Sequence, residues 1–332
     1  MEPHHPTRRD FMRQSALASA GLVLAGCAST MQNTTPGAMQ GTMQGGMAGD
    51  SPGGPPVASL PQPTARQGQY AEVNGARLFY QTAGQGEPML LLHGYPLSGA
   101  LFERNREALA RRFRVITPDQ RNYGFSRAPG AADNVGTYAQ DALELMTHLG
   151  VQRAIIGGHS MGGPIVLEMY RRAPERFRGM ILIDTTAAPA PPMEAGEWRG
   201  FAEYARTKGV DQMYADALIK NMLTGATRTT RPAEVDYLGA IVKQGTVDGA
   251  VGGGITLATR PDSMSTLAQI RVPTLVYVGV DDQIYPVKTA MMMQQAIAGS
   301  TLVTIPGGAH AAVFEQPERT NEALLNWAGR LG

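Results

Sequence analysis

Ser160 stands between two glycines, at a spacing that could make it a nucleophile. It lies in the stretch Gly157–Pro164, with Gly158 before it and Gly162 after it. An apolar run, RAIIG, precedes the stretch, and a run compatible with a helix, IVLEMYRRA, follows it. At a sharp strand-to-helix turn the serine has strained dihedral angles, and side chains at the two glycine positions would clash with neighbouring backbone. The pattern G-H-S-M-G therefore predicts a nucleophile elbow, with a helix N-terminus directed at any negative charge that forms nearby.

A serine hydroxyl becomes a good nucleophile only when a base removes its proton. In sites built on a strand–serine–helix turn, the chain order is serine, acid, histidine. His310 is the only histidine after Ser160, and it lies in a glycine-containing loop that follows the last predicted strand. The other histidines precede the serine in the chain: His4, His5, His93, His148 and His159. We therefore predict that His310 is the base.

A carboxylate must hold the imidazole in the correct tautomer, and three aspartates are candidates for this role. The predicted strand PTLVYVG is followed by VDDQIYP, which contains the adjacent residues Asp281 and Asp282. Asp184 ends another predicted strand, GMILID. Neighbouring residues in a loop usually point in different directions, so we expect only one of the adjacent pair to reach the imidazole.

Attack on a carbonyl group also requires donors for the oxyanion. One donor is expected to be the backbone N–H of Met161, which follows the predicted nucleophile. The other should come from the loop HGYPLSG, which follows the early apolar strand PMLLL. By position this donor is the N–H of Tyr95, since Pro96 has no N–H.

The elements that must position these residues alternate between strands and helices. Short apolar strands (PMLLL, FRVIT, RAIIG, GMILID, PTLVYVG and TLVTI) are separated by helical patterns, and Asn74-Gly75 joins an early hairpin. This alternation predicts an α/β fold with a mostly parallel, doubly wound sheet. After the sixth strand the alternation stops, and residues 186–267 contain helical segments and the run Gly252–Gly254. We predict that this insert is a helical lid over the carboxyl ends of the strands.

From Tyr70 to the C-terminus the chain resembles the lidded α/β-hydrolases. The resemblance rests on five motifs in order: HGYP, DQRNYGFS, GHSMGG, GVDDQIYP and GGAH. The family pattern of glycine, two residues, aspartate, three residues and proline fits Gly279, Asp282 and Pro286, and it implies that Asp282 is the acid. One position departs from the family, since Asn122 stands where many members have a second glycine.

The resemblance implies a serine hydrolase that cleaves a carboxylic ester or related acyl bond of a small molecule through an acyl-enzyme. Serine at the elbow argues against the dehalogenase and epoxide hydrolase branches, which use aspartate there. The alternatives are a cofactor-free perhydrolase of the non-haem chloroperoxidase type, a carbon–carbon bond hydrolase, or a lipid-anchored binding protein without activity. No metal or organic cofactor is expected. The large side chains of the lid are expected to pack within it: Trp198, Phe201, Tyr204, Met213, Tyr214, Met222 and Tyr237.

The N-terminus predicts export and lipidation. Residues 1–27 contain Arg8-Arg9 followed by Phe11, which resembles a twin-arginine signal, and then a short apolar run. The run ends in LAGC, which resembles a bacterial lipobox with Cys27 as the lipidated residue. Residues 28–67 are rich in Gly, Pro and Gln, which predicts a flexible linker between a membrane anchor and a folded domain at 68–332.

Composition excludes some classes of partner and site. The formal net charge is +1, which gives no electrostatic reason to expect a nucleic acid partner. Cys27 is the single cysteine of the 332 residues, so the chain has neither an internal disulfide nor a multi-cysteine metal site. The oligomeric state stays open at this level.

Overall fold

A single eight-stranded sheet organises the protein, whose computed structural model describes residues 55–331. The strands are β1 (Gln69–Val73), β2 (Ala76–Ala83), β3 (Glu87–Leu92), β4 (Phe113–Pro118), β5 (Ala154–His159), β6 (Phe177–Ile183), β7 (Thr274–Gly279) and β8 (Thr301–Ile305). Their order in the sheet is β1-β2-β4-β3-β5-β6-β7-β8. The hairpin β1–β2 and the pair β2–β4 are antiparallel, and every other pair is parallel. The predicted mostly parallel sheet is therefore confirmed.

Helices flank this sheet and form the insert between β6 and β7. Within residues 55–331 the α-helices are α1 (Glu103–Ala110), α2 (Val135–His148), α3 (Gly162–Arg172), α4 (Pro192–Lys208), α5 (Gln212–Met222), α6 (Gly225–Thr230), α7 (Pro232–Gln244), α8 (Val247–Ala258), α9 (Met264–Leu267), α10 (Val287–Ala296), α11 (Ala312–Glu315) and α12 (Pro317–Ala328). None of these helices is long and apolar enough to cross a bilayer.

The central strands are apolar because the sheet is covered on both faces. All residues of β5 and β7 are buried. Leu90 in β3 lies opposite Ile156 in β5, which in turn lies opposite Met180 in β6. Burying one such side chain stabilises the fold by about 1.5–3 kcal/mol relative to leaving it exposed. Since β5 to β8 are parallel, the loops after their carboxyl ends meet at one edge of the sheet.

The lid, predicted at residues 186–267, consists of helices α4 to α9. One of them, α8, contains the run Gly252–Gly254, which the sequence pattern did not identify as helical. A Cβ atom at Gly252 would overlap the carbonyl oxygen of Ala132, and one at Gly254 would lie 2.9 Å from the carbonyl oxygen of Trp198. Glycine is a poor helix former, but here it lets α8 approach α4 and the sheet domain more closely than any larger residue could.

Residues 55–67 pack against the folded domain, although the sequence predicted that this domain begins at residue 68. Short 3₁₀ helices at Val57–Ser59 and Pro63–Ala65 contact α7. The side chain of Arg66 is fully buried, and its Nη2 atom lies 2.7 Å from an oxygen of Asp119. The guanidinium also stacks on the rings of Phe79 and Phe125. Residues 55–67 therefore form an N-terminal strap, because a buried ion pair and ring contacts offset the poor apolar content of this segment.

Candidate active site

Ser160 occupies the sharp turn between β5 and α3. Its φ angle is 52°, a left-handed conformation that non-glycine residues adopt only at a cost of about 1–3 kcal/mol. A Cβ atom at Gly158 would overlap the carbonyl oxygen of Gly162, and one at Gly162 would lie 2.6 Å from the carbonyl oxygen of Leu92. The predicted strain at the serine and the steric need for both glycines are therefore confirmed.

His310 and Asp282 extend from Ser160 in a continuous chain of hydrogen bonds. The Oγ atom of Ser160 lies 2.8 Å from Nε2 of His310, whose Nδ1 lies 2.9 Å from Oδ2 of Asp282. The other carboxylate oxygen, Oδ1, accepts from the amides of Ile284 (2.7 Å) and Tyr285 (3.0 Å). These bonds orient the carboxylate so that Nδ1–H donates to it, and Nε2 is left to accept the hydroxyl proton. The three side chains come from the loops after β5, β7 and β8, and they are nearly inaccessible to solvent.

The rival carboxylates lie elsewhere. Asp281 is exposed, and its amide donates to the carbonyl of Gly308. Asp184 is fully buried, and its Oδ1 accepts from the amide of Gly279 at 2.7 Å. Burial raises the pKa of the Asp184 carboxyl well above its usual value, and the negative charge of Asp282 acts in the same direction. Of these carboxyl groups, only that of Asp282 hydrogen-bonds to His310.

The loop that carries Tyr95 lies directly against Ser160. A Cβ atom at Gly94 would lie 2.6 Å from Cβ of Ser160. The carbonyl of Gly94 accepts from Nδ1–H of His93 (2.8 Å) and from the amide of Leu97 (2.9 Å). Because a trans peptide is planar, the N–H of Tyr95 points away from that anchored carbonyl.

The two predicted oxyanion donors are the amides of Tyr95 and Met161. Met161 lies at the N-terminal end of α3, where amides have no partner within the helix. Within residues 55–331, neither amide has a protein acceptor. Both are therefore free to donate to a bound substrate.

Two buried histidines that the sequence placed outside the catalytic set support the backbone around it. Nε2–H of His159 donates to the carbonyl of His310 at 2.6 Å. Nε2 of His93 accepts from the amide of Gln120 at 2.8 Å. Burial lowers the pKa of His93 to about 4 and holds the pKa of His159 well below its usual value. Both imidazoles are therefore neutral near pH 7, and they act as fixed hydrogen-bonding groups.

The structure explains why asparagine can stand at position 122, where many family members have glycine. Its φ angle is 66°, and asparagine is one of the few non-glycine residues that tolerate this left-handed conformation. Its Nδ2 donates to the carbonyl of Gly130 at 2.7 Å, and its own carbonyl accepts from the amide and hydroxyl of Thr246 in the lid. The position thus connects the loop after β4 to the start of α8.

Sequence reasoning missed how the lid connects to the site. Glu194 in α4 accepts from Arg260 (2.7 and 2.9 Å) and from the hydroxyl of Tyr285, three residues after the aspartate bonded to His310. The hydroxyl of Tyr95 donates to the carbonyl of Ala250 in α8 at 3.0 Å. No local pattern marks these residues, since each partner is more than sixty residues away in the chain.

The large lid side chains mostly contact one another, as the sequence suggested. The ring pairs are Trp198–Phe201 (6.0 Å between centroids), Phe201–Tyr214 (5.9 Å) and Tyr204–Tyr214 (6.1 Å). Lid rings also reach the site loops: Trp198 meets the ring of Tyr95 edge-on at 5.7 Å, the hydroxyl of Tyr214 bonds to that of Tyr95, and Tyr237 stacks on Phe314 at 5.3 Å. Met222 is buried and Met213 is half-buried.

The remaining predicted features concern metals and the N-terminus. Among residues 55–331, no three His, Cys, Asp or Glu side chains are grouped so as to hold a metal ion. Arg8, Arg9 and Cys27 lie outside the described residues.

Comparisons with known proteins agree with this architecture. Residues 87–317 match the sequence profile of the alpha/beta hydrolase fold. A thermophilic esterase from Thermogutta terrifontis shares 31% identity with the chain at a TM-score of 0.76, over 80% of this chain and 99% of its own. A non-heme haloperoxidase of Rhodococcus erythropolis is 28% identical over 76% of this chain and 96% of its own length. A pimeloyl-[acyl-carrier protein] methyl ester esterase of Pectobacterium carotovorum is 28% identical over 76% of this chain and 99% of its own length.

Proposed function

Since the chain belongs to the alpha/beta hydrolase family, we propose that it is a serine hydrolase that cleaves a carboxylic ester or a related acyl bond. The observation that carries this proposal is the hydrogen-bonded chain from Ser160 through His310 to Asp282. These three hydrogen-bonded residues lie at the carboxyl edge of the sheet, and the serine is held in a strained turn. Esterases are among the relatives that the chain matches over nearly their whole length, which supports the choice of substrate class.

In the first half-reaction, Ser160 Oγ attacks the substrate carbonyl carbon while its proton passes to Nε2 of His310. Asp282 accepts the hydrogen bond of Nδ1–H and stabilises the imidazolium that forms. The amides of Tyr95 and Met161 donate to the oxyanion of the tetrahedral intermediate. The intermediate then collapses, the carbon–oxygen bond to the alcohol breaks, and the alcohol leaves with the proton from Nε2. The acyl group stays on Ser160.

In the second half-reaction, water attacks the acyl-enzyme carbonyl and gives one proton to Nε2 of His310. The same two amides stabilise the second oxyanion. Collapse of this intermediate releases the carboxylic acid, and Nε2 returns the proton to Ser160 Oγ. The ester and one water are consumed, the alcohol and the acid are released, and Ser160 and His310 are regenerated.

The experiment that tests this proposal is ester hydrolysis by the wild type and by Ser160→Ala, with a fluorogenic short-chain ester. We expect the variant to lose several orders of magnitude in kcat/KM, because no other nucleophile replaces the hydroxyl. Circular dichroism and thermal unfolding serve as the control for folding. Activity of the variant within tenfold of the wild type would contradict the assignment of Ser160.

Perhydrolysis is the second candidate, favoured by the similarity to the Rhodococcus haloperoxidase. In this reaction hydrogen peroxide replaces water in the attack on the acyl-enzyme, and the product is a peracid. Peracid formation from an ester and peroxide, measured beside hydrolysis on the same enzyme, separates the two. If the wild type forms no more peracid than the Ser160→Ala variant, perhydrolysis is excluded and hydrolysis remains as the activity.

We propose further that the protein is exported and anchored to a membrane through lipid on Cys27. The proposal rests on Arg8-Arg9 with Phe11, and on the sequence LAGC that ends in the single cysteine. The Gly-, Pro- and Gln-rich stretch that follows would act as the tether to the folded domain. Metabolic labelling with palmitate compares the wild type with Cys27→Ala. Label that is lost in the variant supports the anchor, and label unchanged by the substitution excludes it.

A further inference from the structure

Glu315 is a buried carboxylate that binds the backbone next to His310. It ends α11, five residues after His310, and none of it is exposed to solvent. Its Oε2 atom accepts from the amide of Ala309 at 2.7 Å. A carboxylate bond to a backbone amide is charge-assisted, so it is shorter and stronger than a bond between neutral groups. Glu315 therefore fixes the amide of Ala309, the residue just before His310.

The other oxygen of the same carboxylate binds the lid. Oε1 of Glu315 accepts from both the amide (2.8 Å) and the hydroxyl (2.7 Å) of Thr224, the residue that caps α6. Nη2 of Arg231, also in the lid, lies 3.8 Å from the same oxygen. One carboxylate thus bridges two segments that are about 90 residues apart in the chain.

The backbone on the other side of His310 is held by the lid as well. The amide of Ala311 donates to the carbonyl of Met222 at 2.8 Å, and the carbonyl of His310 itself accepts from His159. The peptide group between His310 and Ala311 is therefore bonded both to the lid and to the elbow. Because the reach of Nε2 to Ser160 depends on this backbone, a shift in it would lengthen the 2.8 Å contact.

We propose that Glu315 is a positioning residue that holds His310 against Ser160 and does so through the lid residue Thr224. This inference rests on the proposed function for its kinetic test. It assigns to the lid a part in aligning the base, in addition to covering the site. Glu315 does not touch the reacting atoms and acts only through His310.

The first test is Glu315→Gln, which keeps the side-chain volume but turns one acceptor oxygen into an NH₂ donor. That group must then face the amide of either Ala309 or Thr224, a donor opposite a donor. We expect kcat to fall about 10- to 100-fold while KM changes less than about threefold, measured well below the unfolding temperature. Glu103→Gln is the matched control, a buried carboxylate whose partner is Arg106 on its own helix, and it should keep kcat within about twofold.

The second test isolates the lid. Thr224→Val removes the hydroxyl donor but keeps the amide, so a smaller loss of about two- to fivefold in kcat is expected. In the double variant, the fold-loss in kcat should be smaller than the product of the two single fold-losses, because both substitutions act on one contact. Fully multiplicative losses, or no loss in Thr224→Val, would overturn the part assigned to the lid.

The third test is spectroscopic and requires no substrate. The Nδ1–H proton of His310, bonded to Asp282, should give a far-downfield ¹H resonance that disappears in His310→Gln. We expect Glu315→Gln to shift or broaden this resonance, and Glu103→Gln to leave it unchanged. An unchanged resonance in folded Glu315→Gln would overturn the inference even if the wild type hydrolyses esters. A wild type without esterase activity but with the expected shift would overturn only the proposed function.

Discussion

The loops at the carboxyl edge of the sheet and the helices of the lid contribute to the site in different ways. The sheet loops supply the groups that would react: Ser160 after β5, Asp282 after β7 and His310 after β8. The lid supplies no histidine, and its contacts reach side chains and backbone groups that flank the reacting residues. We therefore infer that the sheet loops determine the chemistry, and that the lid contributes to the alignment of the reacting groups.

Several contacts connect the lid to loops at the carboxyl edge of the sheet. The hydroxyl of Tyr95 binds the carbonyl of Ala250, the hydroxyl of Tyr285 binds Glu194, and the His310 loop is bonded through Glu315. Removing one of these contacts should therefore reduce activity by a modest factor. Removing a sheet-loop residue should nearly abolish it.

The largest expected effect within the sheet loops separates the two buried carboxyl groups. We predict that Asp282→Asn lowers kcat by about a thousandfold or more, because the amide cannot stabilise the imidazolium and favours the wrong tautomer. Asp184→Asn is the matched control. Since Asp184 bonds the amide of Gly279 and does not reach His310, activity should stay within about tenfold of the wild type.

Asp281→Asn should also stay within about tenfold, because its side chain is exposed. Steady-state kinetics on the three purified variants would measure this comparison. If the large loss occurs in Asp184→Asn or Asp281→Asn, the acid has been misassigned, while the hydrolase proposal would survive.

The pH dependence of stability should depend on the buried histidines of the sheet loops. Folding lowers the pKa of His93 to about 4, so the unfolded chain binds more protons than the native state between pH 6.5 and 4. The stabilisation is fully present above pH 6.5 and is lost as the pH falls, by about 3 kcal/mol in total for this group. The lowered pKa of His159 acts in the same direction.

Urea unfolding between pH 5 and 7 measures this slope. His93→Gln should make the dependence of the unfolding free energy on pH shallower than in the wild type. His148→Gln, which changes an exposed imidazole on α2, is the matched control and should keep the wild-type slope. Equal slopes in all three proteins would contradict the role given to burial.

The smallest expected effect concerns the packing of the lid. A Cβ atom at Gly253 would lie 2.5 Å from Cδ2 of Tyr95 and would overlap the hydroxyl of Tyr123. We predict that Gly253→Ala lowers the free energy of unfolding by about 1–3 kcal/mol through overpacking. Gly196→Ala in α4 has open space around it and should raise the free energy of unfolding by up to about 1 kcal/mol.

Chemical denaturation of both glycine variants provides the comparison. The two substitutions are identical in chemistry and both lie in lid helices, so only their surroundings differ. A Gly253→Ala variant as stable as the wild type would show that α8 is not packed as closely as described.

Much of the sheet could be predicted from the sequence, because its signals are local. Ser160 and His310 each follow an apolar strand, within glycine-containing motifs of a few residues. The choice between Asp282 and Asp184 could not be made from local sequence, since both carboxylates end parallel strands at the same edge of the sheet. The choice of Asp282 required the family pattern. The structure adds the hydrogen bond that Nδ1–H of His310 donates to Asp282.

The rest escaped prediction because the decisive interactions join distant segments. The run Gly252–Gly254 has a poor helix propensity, yet it is helical in α8. Close tertiary packing leaves no room for larger side chains at these positions. The strap has the composition of a linker, but one buried pair, Arg66 with Asp119, holds it. Glu315 has no signal in its neighbourhood, since its partner Thr224 lies far away in the chain.

The hydrogen bonds from Ser160 to His310 and Asp282 are expected to make Ser160 a nucleophile. A fluorophosphonate probe tests this, because it reacts with a serine hydroxyl that a base has activated. After labelling, peptide mass spectrometry locates the modified residue, and the labelling rate is compared between the wild type and His310→Gln. We predict that Ser160 carries the probe in the wild type and that His310→Gln reduces the labelling rate by at least about a hundredfold. Modification of a different serine, or a labelling rate at Ser160 that does not depend on His310, would show that Ser160 is not a nucleophile activated by His310.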